Sequence, residues 1–342
     1  MKDLLIIFGG KSGEYEVSEM SASSVLSHIN ADKYNIIKIG ITKDGRWFKT
    51  EASPEQIKSG AWESLPKQSA VLSPDTSHHG IFVEGKLQKV DVIFPVMHGD
   101  YCEDGCIQGL FELSGIPYVG PGVLSSAVGM DKSATKLFAD RCGIPQAKWC
   151  VLEHPLTPEK TEEIESRFSY PVFVKPCSAG SSLGTSKAKN REELKKAVCE
   201  AAKVDSKIMC EEYIDGCEVE CAVLGNEDAR ASVVGRITPS NEFYDYKAKY
   251  IDNASGLTIP ADIPSETAEK IREYAVTVFK ALGCRGMSRV DFFVLRENGE
   301  IRFNEINTLP GFTSISMYPK LWEKSGIPYS ELIDRLIEYA EK

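Results

Sequence analysis

The residue types best suited to chemistry in this chain gather in a few short stretches. Arg289-Val290-Asp291 is followed, after a short connection, by Asn304-Glu305-Ile306-Asn307. Glu305 and Asn307 stand two apart on a predicted strand and so share a face. The connection Glu297-Asn298-Gly299-Glu300 reads as a hairpin, and its length decides the partner of Asp291. A strict two-residue Asn-Gly turn pairs Asp291 with Ile306 and turns its side chain away from Glu305. An odd-length loop or a bulge instead brings Asp291 opposite Glu305 or Asn307. In that case Asp, Glu and Asn oxygens collect on one face, a set that suits Mg²⁺ shared with substrate phosphates. Arg289 shares the face and can meet a developing oxyanion. The competing reading is a solvated polar strand face.

A second stretch, Lys175-Pro176-Cys177-Ser178-Ala179-Gly180-Ser181-Ser182-Leu183-Gly184, puts a lysine at the end of an apolar strand and a loop of small residues after it. Free backbone amides and two hydroxyls can close over phosphates as a nest does; a plain surface loop is the alternative. Near the start, Gly9-Gly10-Lys11-Ser12 invites a phosphate-loop reading. Five residues before Gly10 stands Leu5, where that pattern needs glycine, and Lys11 breaks the dinucleotide fingerprint. What remains is a strand ending in a glycine turn, with Glu14-Tyr15-Glu16-Val17-Ser18 opening a helix. Its carboxylates either suit the helix dipole or hold a ligand at the sheet's carboxyl edge. His98-Gly99 with Glu103-Asp104-Gly105, the aromatic loop around Lys249-Tyr250, and Glu211 and Glu218 are weaker candidates on spacing alone.

These stretches sit at the ends of alternating elements. The spacing predicts strands at Leu4–Phe8, Ile36–Ile41 and Val90–Val96 with helices at Val17–Ile29 and Asp104–Leu113, which favours a parallel sheet with helices on its faces. Gly120-Pro121-Gly122 marks a boundary. Helices at Lys132–Cys142, Pro158–Phe168 and Arg191–Lys203 then alternate with strands at Trp149–Leu152, Val172–Lys175 and Lys207–Glu212. Strands at Glu218–Leu224, Ala231–Ile237, Ser288–Leu295 and Ile301–Ile306 and helices at Ser265–Leu282 and Tyr329–Ala340 complete the chain. The expected division is residues 1–121, 122–215 and 216–342.

The 342 residues allow two or three domains. Hydrophobic residues at 42% and charged residues at 26% are globular values, so disorder and fibrous repeats are excluded. The net charge, 40 − 50 = −10, disfavours nucleic acid and anionic membranes as partners. No apolar run approaches the ~20 residues that span a bilayer, and the first strand is too short for a signal peptide. A cytoplasmic enzyme is expected. The ten cysteines form no CxxC pair or zinc pattern and are expected to be reduced.

Taken in order, seven motifs resemble those of the D-alanine–D-alanine ligases of the ATP-grasp superfamily, over essentially the whole chain. They are Phe8-Gly9-Gly10-x-Ser12 with Glu16-Val17-Ser18, His98-Gly99 with Glu103-Asp104-Gly105, and Met130-Asp131-Lys132. Next come Val174-Lys175-Pro176 with Gly180-Ser181-Ser182-x-Gly184, and Tyr244 to Tyr250. Ser288-Arg289-Val290-Asp291 and Asn304-Glu305-Ile306-Asn307-Thr308-x-Pro310-Gly311 close the series. The resemblance implies an α/β (α+β) ATP-grasp fold with an N-terminal Rossmann-like parallel-sheet domain. It implies ATP-dependent joining of two D-alanines through an acyl phosphate, for peptidoglycan precursors, with ATP and Mg²⁺ as cofactors (two ions expected, Mn²⁺ as a substitute) and a homodimer.

By motif position, the resemblance implies that Glu16 pairs with the first ammonium and links with Ser181 and Tyr250 over the site. Lys249 faces the transferred phosphate, and Arg289 meets the oxyanion with help from the backbone near Gly311. Lys132, Lys175 and Ser182 hold phosphates, Glu211 and Glu218 the adenosine, and Asp291, Glu305 and Asn307 the metal. His98 lies near the first substrate, while Ser316 and Met317 meet the second. Cys102 stands where glycine is usual, and Glu19 where an apolar residue is commoner. Cys177 beside the phosphate loop is open to oxidation if exposed. Lys249-Tyr250 is not the histidine-containing sequence of lactate-forming relatives, and Met317 is not the basic residue of serine-forming ones. D-Alanine is therefore expected as second substrate, with a D-alanine–D-serine ligase as the alternative.

Overall fold

The first strand, Lys2–Gly9, carries an unbroken apolar run, Leu4 to Phe8, with each residue fully buried. Such a run is what the middle of a sheet covered on both faces requires. Its neighbours are Tyr34–Ile41 and Val92–Val96, both parallel to it. The computed structural model describes residues 1–238 and 256–342. In it this sheet has seven strands, in the order Lys86–Lys89, Gly80–Val83, Lys67–Leu72, Trp47–Thr50, Tyr34–Ile41, Lys2–Gly9, Val92–Val96. Only the last three are parallel, and the outer four pair antiparallel. The sheet is therefore mixed, where the strand–helix alternation predicted a parallel one. The added strands are only four to six residues long, so their apolar signal is too brief to register.

Two antiparallel sheets follow. One has the order Ser186–Ala188, Val172–Pro176, Ile208–Glu212, Trp149–Leu152. The other has Gly256–Thr258, Arg230–Thr238, Gly216–Gly225, Gly286–Leu295, Ile301–Asn307. The predicted helices appear at Tyr15–His28, Lys132–Arg141, Pro158–Arg167, Arg191–Ala201, Ser265–Ala281 and Tyr329–Ala340. Short helices at Val123–Met130 and Met317–Lys324 were not foreseen.

The closing helix buries Leu332, Ile333, Leu336 and Ile337, one stripe of a 3.6-residue period. That stripe and Tyr318 share a single core with Leu4, Ile6 and Phe8 of the first strand. The end of the chain thus packs against its beginning, which carries the loop at 309–316 to the carboxyl edge of the first sheet. All ten cysteines are free, as expected. No helix among the described residues is long and apolar enough to cross a membrane.

Candidate active site

One cavity of about 1140 Å³ is lined by the two antiparallel sheets and by loops at the carboxyl edge of the first sheet. Its first wall comes from the loops at the carboxyl edge of the first sheet, with Glu14, at the N-cap of the helix Tyr15–His28, and His98 and Glu103. Gly9 and Gly10 turn the chain with φ of 81° and 115°, values that an L side chain adopts poorly. Ser18 Oγ then accepts from Gly9 N at 2.7 Å and donates to Val96 O at 2.5 Å, pinning the helix between two strand ends. One turn on, Ser21 Oγ meets His98 Nε2 at 2.9 Å. The other nitrogen of His98, Nδ1, meets Leu309 O at 3.1 Å, so His98 ties the first sheet to the 309–316 loop. Burial pulls His98 down, but the hydrogen bond and charge of Glu103 outweigh it and raise His98 above its ordinary value. Burial raises Glu103 in turn.

The carboxylate presented to the cavity is Glu14, at the N-cap of this helix, which accepts a hydrogen bond from Ser181 Oγ. The expectation for Glu16 is thereby corrected. Glu16 does not line the cavity; it points outward and pairs with Lys43 at 2.5 Å. Glu14 is the N-cap ahead of the helix and Glu16 lies in its first turn, so the two carboxylates leave the backbone in different directions. Cys102, in place of a glycine, is fully buried and its sulfur packs toward Gly10.

The second wall is cationic. Asp131 caps the helix Lys132–Arg141, accepting from Ser133 N and Ala134 N at 2.9 and 3.1 Å, and pairs with Lys207 at 2.7 Å. Lys132 is thus fixed in the first helical turn; its Nζ donates to Ala179 O at 2.6 Å and lies 3.8 Å from Glu305. Lys175 pairs with Glu211 at 2.5 Å, and fully buried Lys136 pairs with the other oxygen of Glu211. Burial alone would raise Glu211, but the two lysines hold it down at about 2. Burial lowers Lys136, whereas Glu211 keeps Lys175 above the ordinary lysine value. In the loop after Lys175, Ser181 and Ser182 both have left-handed backbone, with φ of 50° and 58°, and both line the cavity. Cys177 is fully buried and its thiol is pushed up to about 11; it is not open to oxidation as an exposed residue would be.

The third wall is the last sheet. The hairpin pairs Val294 with Ile301 and Phe292 with Phe303; a bulge then shifts the register. Without the bulge Asp291 would face Asn304, and with it Asp291 faces Glu305 and Arg289 faces Asn307. Asp291 also pairs with Glu220 on its other side. Carboxylate oxygens of Glu218, Glu220 and Asp291 lie within 4.8 Å of one another. Arg289 donates from Nε and Nη2 to Asp291, each at 2.8 Å, and Nε is 3.0 Å from Glu220. Asn307 Nδ2 donates to Asp291 at 3.0 Å. Four carboxylates against one guanidinium leave an excess of negative charge on hard oxygens, and this donor set fits a divalent cation of the Mg²⁺ type.

The cavity therefore brings together Ser181, Arg289, His98, Ser316, Met317, Gly311, Lys132, Lys175, Ser182, Glu211, Glu218, Glu305 and Asn307, with Asp291 buried beneath them. Lys249 and Tyr250 lie outside the described residues. Glu14, Lys136 and Glu220 were missed. Spacing held the signal for two of them, since Lys136 is four residues after Lys132 on one helix and Glu220 two after Glu218 on one strand.

The comparisons agree with this geometry. Residues 3–121 match the family model described as D-ala D-ala ligase N-terminus, and residues 138–338 that described as D-ala D-ala ligase C-terminus. The D-alanine--D-alanine ligase of Acetivibrio thermocellus is 53% identical over 99% of this chain and 96% of its own. The solved structure of the VanG D-Ala:D-Ser ligase from Enterococcus faecalis superposes with a TM-score of 0.92 at 42% identity, covering 99% of each chain. The D-alanine-D-alanine ligase from Coxiella burnetii gives 0.89 at 36% identity, covering 99% of this chain and 93% of its own.

Proposed function

We propose, from the premise that this chain belongs to the D-Ala D-Ala ligase family, that it joins two D-alanines at the expense of ATP, supplying D-alanyl-D-alanine for peptidoglycan precursors. One observation carries the reading. A carboxylate, Glu14, tied to a serine-rich loop by Ser181, faces a cavity that also holds two lysines and a carboxylate-rich strand face. This provides an ammonium site, a polyphosphate site and an oxyanion donor in one enclosure.

In this mechanism the carboxylate of the first D-alanine attacks the γ-phosphorus of ATP; an acyl phosphate forms and ADP leaves. The amine of the second D-alanine attacks the acyl carbon, giving a tetrahedral intermediate that expels phosphate as the peptide bond forms and the amine loses its proton. Glu14 holds the first ammonium, and its hydrogen bond with Ser181 closes the loop over that substrate. His98, fixed at both nitrogens, orients the turn beside it. Lys132 and Lys175 lower the charge of the phosphates, with Glu211 aiming Lys175 and Ser182 adding a hydroxyl. Glu218 is placed for the ribose. Arg289 and the backbone near Gly311 stabilise the oxyanion, while Ser316 and Met317 bound the second substrate. Asp291, Glu305 and Asn307 would hold Mg²⁺, as one or two ions, which when bound supplies charge neutralisation at the phosphates. Lys249 and Tyr250 keep the roles that the resemblance implies. Three parts, at 1–121, 122–215 and 216–342, a cytoplasmic location and a homodimer belong to the same reading.

A second reading, D-alanine–D-serine ligase, is favoured by the likeness to the Enterococcus faecalis enzyme and opposed by Met317 in place of a basic residue. Phosphate release with D-alanine alone, and with D-alanine plus D-serine or D-lactate, separates the two when products are weighed by mass spectrometry. Turnover with D-alanine alone is the expected result. Turnover only with added D-serine would replace the first reading by the second.

A further inference from the structure

The buried carboxylate of Glu220 belongs to the oxygen cluster with Glu218 and Asp291 but is given no step in the mechanism above, and it lies against the residue proposed to stabilise the negative charge of the intermediate. Glu220 is 2% exposed, on the strand Gly216–Gly225, directly across from Asp291. Its Oε2 is 3.0 Å from Arg289 Nε. Arg289 therefore rests on two carboxylates, and its Nε and Nη2 are committed to them. Among the described residues Nη1 makes no such contact, and the side chain lines the cavity. A guanidinium is planar, so holding one edge fixes the direction of the other.

Asp291 is claimed twice. It takes two hydrogen bonds from Arg289 and one from Asn307, and with Glu218 and Glu220 it also belongs to the oxygen set that fits a divalent cation; of these, the buried Glu220 Oε2 is the one that lies on Arg289 Nε. A carboxylate turned toward a cation gives up part of its hold on the guanidinium. Glu220 is the remaining carboxylate in contact with Arg289, and its strand is in register with Asp291. We propose that Glu220 is a positioning residue: it keeps the Arg289 guanidinium aimed into the cavity when Asp291 is engaged elsewhere. The proposal rests on the ligase reading for its kinetic consequence, while the Glu220–Arg289 contact stands apart from it.

The test compares wild type with Glu220→Gln, which keeps the shape and removes the charge, in the wild-type and Arg289→Lys backgrounds. With Mg²⁺, ATP and D-alanine, Glu220→Gln is expected to lower kcat at least tenfold. Calorimetric affinity for the Mg²⁺ complex of the non-hydrolysable analogue AMPPNP, and Tm, are expected to stay near wild type. In the Arg289→Lys background Glu220→Gln should cost less than twofold more, because both changes remove one interaction. The ¹⁵N–¹H resonance of Arg289 Nε, assigned by its loss in Arg289→Lys, should shift in Glu220→Gln. An unchanged kcat or resonance, an equal loss in both backgrounds, or a loss that follows Tm or AMPPNP affinity would each overturn the proposal. If Glu220→Gln does not fold, Glu220→Asp, which withdraws the charge by one methylene, takes the same measurements with the same criteria. A wild-type protein silent toward D-alanine would defeat the ligase reading instead, and the Arg289 resonance would still judge the contact.

Discussion

Ser181 Oγ donates a hydrogen bond to Glu14 Oε1, joining positions 167 apart in the chain. It is the point where the loop after Lys175 meets the helix on the first sheet. Removing the Glu14 charge takes away both the proposed ammonium partner and the anchor of that loop. Glu14→Gln is expected to lower kcat/KM for D-alanine by about 100-fold, as displaced reacting groups do. Glu16→Gln, altering an outward residue on Lys43, should stay within twofold. Steady-state phosphate release on the two variants decides between the carboxylates, and the opposite ranking would restore Glu16.

That pair also shows what the sequence carried and where it stopped. Motif order located the cavity, and nearly every residue taken from the motifs lines it. The choice between Glu14 and Glu16 depended on where the first helical turn begins. Both residues follow a glycine turn, and a shift of one or two positions at a helix start turns a side chain from cavity to solvent. The register of Asp291 was open for a similar reason, since the bulge beside it is a backbone event with no residue type of its own. The short outer strands of the first sheet were invisible because four residues carry too little periodicity. By contrast, the apolar run Leu4–Phe8 and the stripe on Tyr329–Ala340 were long enough to read directly.

Arg289 offers the second prediction. Its contacts commit Nε and Nη2 to carboxylates, and its exposed edge faces the cavity. Arg289→Ala is expected to reduce ligation by about 10²- to 10³-fold, the usual loss for one oxyanion donor. AMPPNP affinity, measured by calorimetry, should change little, because the lysines proposed for the phosphates stand on other elements, Lys132 on a helix and Lys175 on another sheet. Turnover near wild type would remove Arg289 from the oxyanion role.

Glu19 gives a pH prediction away from the cavity. It is 3% exposed and accepts from Trp62 Nε1 at 2.7 Å. Burial, aided by Glu63 and Glu16, raises its carboxyl from 4.5 to about 7. A carboxyl with a raised folded value favours the folded state when protonated. Its contribution is therefore full below about 4.5 and is lost as pH rises toward about 7. Glu19→Gln keeps the acceptor for Trp62 and cannot ionise. The Tm difference between variant and wild type should grow in favour of the variant from pH 5 to pH 7.5 and level off above that. A difference that does not vary with pH would show that Glu19 titrates normally.

Gly235 controls the space behind Met317, the proposed wall of the second-substrate site. A Cβ built there would lie 3.1 Å from both Met317 Sδ and Cε and 2.8 Å from Leu321 Cδ2. The strand backbone at Gly235 tolerates alanine, so the effect of Gly235→Ala is steric rather than conformational. Leu321 is fully buried in the core and has little freedom, whereas Met317 lines the cavity and has open space on that side. Overpacking of this kind typically costs about 1–3 kcal/mol, and here part of that cost falls on the substrate that must share the space. Gly235→Ala is expected to raise the KM of the second D-alanine about three- to tenfold, with smaller effects on the first D-alanine and on ATP. Initial rates over a wide D-alanine range resolve the two KM values. An equal rise in both would mean that Met317 does not bound the second site, and the specificity argument built on that residue would fall with it.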